Sequence, residues 1–195
     1  MKRLAIVMAA AALMAGCGTE QTTPRVDRDT ALTVGRTTSD SLKVRLSGAL
    51  MQAVQDSGLV GALAFCNVKA LPLTAAVAGG DARVVSVGRT SRKVRNIANR
   101  PDSLDQVALA WFEARMAGGE GLPADHLVDT GDGQYRYYQP LKIAPLCVNC
   151  HGPRESLDPL LQAELDKRYP QDEAVGYGEG DFRGLIRITV GAAGP

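Results

Sequence analysis

Apolar residues recur at helical spacing through Leu42, Val44, Leu46, Leu50, Met51 and Val54, with Ser39 or Asp40 available as a cap and Gly58 as a stop. A second helical stretch runs from Leu59 to Ala78, with Ala62, Leu63, Cys66, Ala70 and Leu73 on one face and Pro72 expected to kink or divide it. Arg83 to Gly88 is short and β-branched and predicts a strand; Asp102-Ser103 opens a helix that Gly118-Gly119 stops after about Ala117. The period then changes to two. Tyr135, Tyr137, Gln139, Leu141 and Ile143 alternate with Arg136, Tyr138, Pro140 and Lys142, predicting a strand, with Gly131-Asp132-Gly133 as a turn and Val128 in the partner strand. Ser156 to Arg168 reads as a helix, and Gly184 to Val190 as a closing strand with Ile186, Ile188 and Val190 on one side. Helices followed by short strands, with crossovers too short for repeated βαβ units and no internal repeat, predict an α+β fold with an antiparallel sheet.

The long strand leads almost directly into Cys147-Val148-Asn149-Cys150-His151. Two thiols separated by two residues and followed by a histidine form the pattern that attaches a haem covalently: the sulfurs add to two vinyl groups and the imidazole becomes an iron ligand. A disulfide or half of a zinc site is the competing interpretation, but zinc requires a second ligand pair of similar spacing and the chain has none.

At the N-terminus, Lys2 and Arg3 precede an apolar run from Leu4 to Met14, and Leu13-Met14-Ala15-Gly16-Cys17 resembles a lipobox. The expected organisation is a lipoprotein signal peptide over 1–16, a flexible tether over 17–37 starting at a lipidated Cys17, and a haem domain over 38–195. Cleavage before Cys17 turns 22 cations against 21 acids into 20 against 21, a balance that gives no sign of a nucleic-acid partner, and none is expected. Export agrees with covalent haem, whose attachment takes place outside the cytoplasm. The expected location is the periplasmic side of the cell envelope, lipid-anchored, with the outer membrane favoured by Gly18 after the cysteine.

An iron held by His151 needs an account of its other face, for which Cys66, His126, Met51 and Met116 are candidates. With Cys17 assigned to lipid and Cys147 and Cys150 to thioethers, Cys66 is the thiol left over. It is either a small buried hydrophobe or a soft iron ligand protected from oxidation by coordination. His126, between Asp125 and Leu127, reads as a loop residue. The basic segment from Arg89 to Arg100 reads mainly as a solvated loop, with one or two members pairing with haem propionates, Arg95 foremost. Tyr135 and Tyr137 are expected to pack in the core.

Five blocks, in order, resemble the PAS-like c-type haem domain, a family catalogued largely as a domain of unknown function, with stand-alone members and copies at the sensory end of bacterial signalling proteins. They are Phe65-Cys66-Asn67; Val87 to Asn96 with Asn99-Arg100-Pro101-Asp102; Tyr138-Gln139-Pro140-Leu141 ahead of Cys147 to Gly152; Tyr169 to Ala174; and Gly180 to Gly184. The resemblance implies a PAS-like antiparallel sheet flanked by helices, one haem, and iron ligation by the motif histidine and by an upstream cysteine, which falls on Cys66. No kinase or other output region accompanies it, so any signal is expected to leave through a partner protein.

A histidine and thiolate pair gives low-spin iron of low potential and leaves no open site for a substrate. The expected function is a redox or small-ligand sensor, for NO or CO, in which Cys66 is displaced; the alternative is a low-potential electron-transfer protein. A peroxidase is disfavoured because no distal acid/base histidine is identifiable, and the protein is not expected to be an enzyme. The expected partners are the membrane, through the lipid, and a redox or signalling protein, with a homodimer also open.

Overall fold

The computed structural model describes residues 25–193. The expected signal peptide and the expected lipidation site Cys17 lie outside the described residues. Helix α1 spans Arg28–Ala76 and is broken at Gly58, whose φ of 67° and ψ of −175° are open to glycine at no steric cost. The arm after Gly58 runs back along the first, so that Val77 in the short 3-10 turn Val77–Gly80 packs with Val34 and Leu42. Pro72 does not divide the second arm, which stays helical to Ala76. Its exposed position leaves the carbonyl without an amide partner in water's reach.

The first arm begins at Arg28, eleven or twelve residues before the expected caps Ser39 and Asp40. Asp27 caps it by accepting from the Thr30 amide at 2.9 Å, and Ala31 and Val34 are buried against the sheet. Residues 28–37, expected to belong to a tether, are therefore helical. Thr33, Thr37 and Thr38 are poor helix formers, and packing overrides them.

Strand β1 spans Val84–Thr90, β2 His126–Asp129, β3 Tyr135–Lys142 and β4 Phe182–Val190. They form one antiparallel sheet in the order β1-β4-β3-β2, with Val87, Ile188, Tyr137 and Leu127 in register across it. Gly131 and Gly133, both at positive φ, turn the chain between β2 and β3. Helix α2 (Ser103–Ala117) opens on a reciprocal capping box between Asp102 and Asp105.

The sheet is covered on both faces. On one, α1 packs on Tyr137, Ile186, Ile188 and Val190; on the other, Ala108, Leu109 and Phe112 of α2 pack on Tyr138 and Leu185. Both Tyr137 and Tyr138 are thus fully buried, where alternation predicted one face inward. Tyr138 keeps its hydroxyl satisfied by donating to Asp105 at 3.0 Å, and Arg136 and Arg187 neutralise that buried carboxylate. Gly35 allows the close approach of α1, since a Cβ there would overlap the Tyr137 ring. Each large apolar side chain buried this way contributes roughly 1.5–3 kcal/mol.

The last two helices position the site. Helix α3 spans Pro145–His151, directly after β3, and α4 spans Pro159–Arg168, capped by Asp158. Leu161, Leu165 and Tyr169 of the α4 region pack on Leu63 in the second arm of α1, which fixes that arm's height relative to α3. The α+β architecture is as expected.

Candidate functional site

Helix α3 starts with Pro145 at its first position, where a missing amide proton leaves nothing unbonded. Cys147 and Cys150 lie three residues apart on one helix face, and with His151 they line a cavity of about 250 Å³. Cys66 lines the same cavity from the second arm of α1, amid Leu59, Ala62 and Leu63. The three thiols are unpaired and partly buried. Burial pushes the Cys66 thiol up, opposed by the guanidiniums of Arg89 and Arg95. It also pushes up Cys150, opposed by Arg95.

His151 is held in one orientation. Its Nδ1–H donates to the Ala174 carbonyl at 2.7 Å, which leaves Nε2 as a free lone pair. Burial, with Arg95 and Arg183 nearby, pushes the imidazole down to about 3, so the ring is neutral. The carbonyl that orients it is itself fixed. The Ala174 amide donates to Asp172 Oδ1 at 2.8 Å, Arg95 Nε donates to Asp172 Oδ2 at 3.0 Å, and Arg95 Nη2 donates to the carbonyls of Cys150 (2.6 Å) and Ala174 (3.3 Å). Backbone bonds from Gly176 to Gly152 and from Tyr177 to His151 complete the clamp.

One end of this cavity is polar. Arg89 and Thr90 at the end of β1, Ser91 after it and Arg183 in β4 line it. Gly184 lets β4 pass against Thr90 and Ser91, where a Cβ would overlap the Thr90 carbonyl. The lining contains the guanidiniums of Arg89, Arg95 and Arg183 and no carboxylate.

The structure brings Cys66, Cys147, Cys150, His151 and Arg95 to one place. The other candidates are elsewhere. His126 opens β2, rather than a loop, and stacks on Trp111 with centroids 4.0 Å apart, while Met51 and Met116 are exposed. Tyr135 and Tyr137 do not line the cavity; Tyr137 belongs to the core under α1.

The segment from Arg89 to Arg100 is less solvated than its charge implied. Arg89 is largely buried, and Arg95 forms an ion pair with Asp172 in which the two side chains are 11% and 3% exposed. Two of the three Arg95 guanidinium nitrogens are committed to this clamp, which makes it the brace of the motif helix before anything else. Arg183, Thr90 and the Asp172–Ala174 segment escaped assignment from sequence. The blocks Val87 to Asn96, Tyr169 to Ala174 and Gly180 to Gly184 were the signal that could have found them.

Fold and site together define an α+β domain whose Cys-x-x-Cys-His helix faces a cavity shared with a cysteine from a broken helix. The chain belongs to the Tll0287-like family, whose model matches residues 19–191. The crystal structure of the cyanobacterial heme-protein Tll0287 superposes with a TM-score of 0.64 at 19% identity, covering 85% of this chain and 97% of that one. At that identity the likeness is one of fold. No curated protein sequence matches the chain.

Proposed function

We propose that the cavity holds one covalently attached haem, with thioether bonds to Cys147 and Cys150 and with His151 and Cys66 as the iron ligands. The protein is then a single-haem c-type cytochrome whose role is to sense redox state or a small ligand such as NO or CO. The observation that carries this is the convergence on one cavity of Cys147, Cys150 and His151 and of the one other cysteine among the described residues. The residues present fit the group. An apolar floor of Leu59, Ala62 and Leu63 suits a porphyrin face, a neutral imidazole with a fixed tautomer suits the iron, and a cationic end suits carboxylates.

When bound, the haem supplies a one-electron ferric/ferrous couple, and a site for a diatomic once a ligand leaves. The chain's own part is orientation and exclusion of water. His151 is locked through Ala174, whereas Cys66 rides on an arm attached through Gly58 at one end and through the turn Val77–Gly80 to β1 at the other. Release of Cys66 would free that arm to move, which supports sensing over electron transfer at constant coordination. The PAS-like interpretation of the fold rests on its antiparallel sheet with helices on both faces.

The same proposal extends to an anchor at Cys17, a periplasmic location, an unidentified redox or signalling partner protein, and no catalytic activity. Spectra of the ferric, ferrous and ferrous-plus-CO forms test it. Loss of the sulfur ligand on reduction or under CO is the result expected for a sensor. Coordination that persists through both supports the alternative, a low-potential electron carrier. Cys66→Ala is expected to turn a thiolate-type low-spin ferric spectrum into a five-coordinate or water-bound one, and an unchanged spectrum removes Cys66 from the iron.

A further inference from the structure

The charges at the polar end of the cavity do not balance. Of the three guanidiniums in its lining, Arg95 is neutralised by Asp172. Arg89 and Arg183 have no carboxylate within ion-pair distance among the described residues. Arg183 donates through Nη1 to the Ser91 hydroxyl at 2.6 Å and to the Lys93 carbonyl at 3.0 Å, both neutral acceptors. The Arg89 guanidinium makes no hydrogen bond among the described residues, and its Nε is buried without a partner.

Cations this far withdrawn from water are usually matched by an opposite charge, because losing hydration without a replacement partner disfavours the charged form. Burial lowers the proton affinity of both guanidiniums, as expected for uncompensated cations. The surplus is two positive charges in a cavity otherwise lined largely by apolar side chains such as Leu59, Ala62, Leu63, Leu141 and Leu146.

We infer that Arg89 and Arg183 are a carboxylate-binding pair, each taking one propionate of the haem. This rests on the haem reading of the same cavity. Two propionates carry the two negative charges the lining lacks, and guanidinium forks match carboxylates in shape as well as sign. Arg95 was the first expectation from sequence, but its Nε and Nη2 already hold Asp172 and two backbone carbonyls. Arg89 and Arg183 reach the site from neighbouring strands, β1 and β4. The other charged or titratable groups facing this end are Cys66, Tyr169, His151, Arg95 with Asp172, and Tyr177, over whose ring Arg183 lies at 5.3 Å.

The test is resonance Raman spectroscopy and redox titration of the haem-loaded full-length protein and of Arg89→Gln, Arg183→Gln and Arg89→Lys. The expected result is a shift of the propionate bending band in each Gln variant, a lower reduction potential because a cation near the haem is lost, and axial-ligand bands that stay as in the wild type. Arg89→Lys is expected to restore most of the potential but not the band, since it keeps the charge and loses the fork. If Arg89→Gln disturbs the axial bands, the Lys variant decides the question by its band position alone. Unshifted propionate bands in both Gln variants overturn the inference, as does a shift produced by Arg95→Gln instead. A wild-type protein that carries no haem sinks the underlying functional reading, which is a different outcome from a loaded protein with unresponsive bands.

Discussion

Removing the Arg95 side chain should damage both the fold and the orientation of the histidine, and the size of the loss follows from burial. Arg95 and Asp172 are 11% and 3% exposed, so Arg95→Met strands a carboxylate in the interior with only the Ala174 amide to satisfy it. Breaking a buried pair from one side costs about 3–5 kcal/mol, because the remaining charge stays desolvated. The same change removes donors from the carbonyls of Cys150 and Ala174, the second of which orients His151. With a urea dependence of about 2 kcal/mol per molar, the unfolding midpoint should fall by roughly 1.5–2.5 M, and the melting temperature by about 10 °C. Asp172→Asn should cost less, since the guanidinium keeps its two carbonyls. The double variant should therefore show a coupling of about 2 kcal/mol between the two positions. A loss below about 1 kcal/mol for Arg95→Met, or no coupling in the cycle, would refute the claim that this pair braces the motif helix.

Gly35→Ala should destabilise the domain by at least about 1–3 kcal/mol in chemical denaturation, because the new methyl overlaps the Tyr137 ring and forces α1 off the sheet. Phe112→Ala, which empties a fully buried site beside Trp111 and Phe182, should cost about 3–5 kcal/mol by the same measurement. Hydrogen bonds from Arg83 hold the Asp81 carboxylate down at about 2, below its ordinary value near 4. The stabilisation it provides is full above pH 4 and vanishes as the pH falls through 2, so urea midpoints of wild type and Asp81→Asn should differ at pH 6 and converge near pH 2. His126→Ala should leave the visible spectrum of the loaded protein unchanged, since His126 stacks on Trp111 away from the cavity.

The broken helical pair, the Cys-x-x-Cys-His motif at the end of a long strand and the closing strand were legible because each has a strong local signal: Gly58, the spacing of Cys147, Cys150 and His151, and alternating Ile186, Ile188 and Val190. The start of α1 was not, because a threonine-rich segment with weak propensity becomes helical only through burial of Ala31 and Val34. Alternation misjudged Tyr138, since α2 covers the face that one-sided burial would leave in water. Among the basic residues, sequence order could not say which guanidiniums meet a carboxylate. Arg95 finds Asp172 at a separation of 77 residues, and only the fold shows Arg89 and Arg183 left without one.

The most direct test of the central claim is the mass and colour of the denatured polypeptide after production in cells that mature c-type cytochromes. The proposal predicts a red chromophore that stays with the unfolded chain and a mass greater by one haem, both lost in the Cys147→Ala, Cys150→Ala double variant. A colourless chain of unmodified mass from the same cells would contradict it.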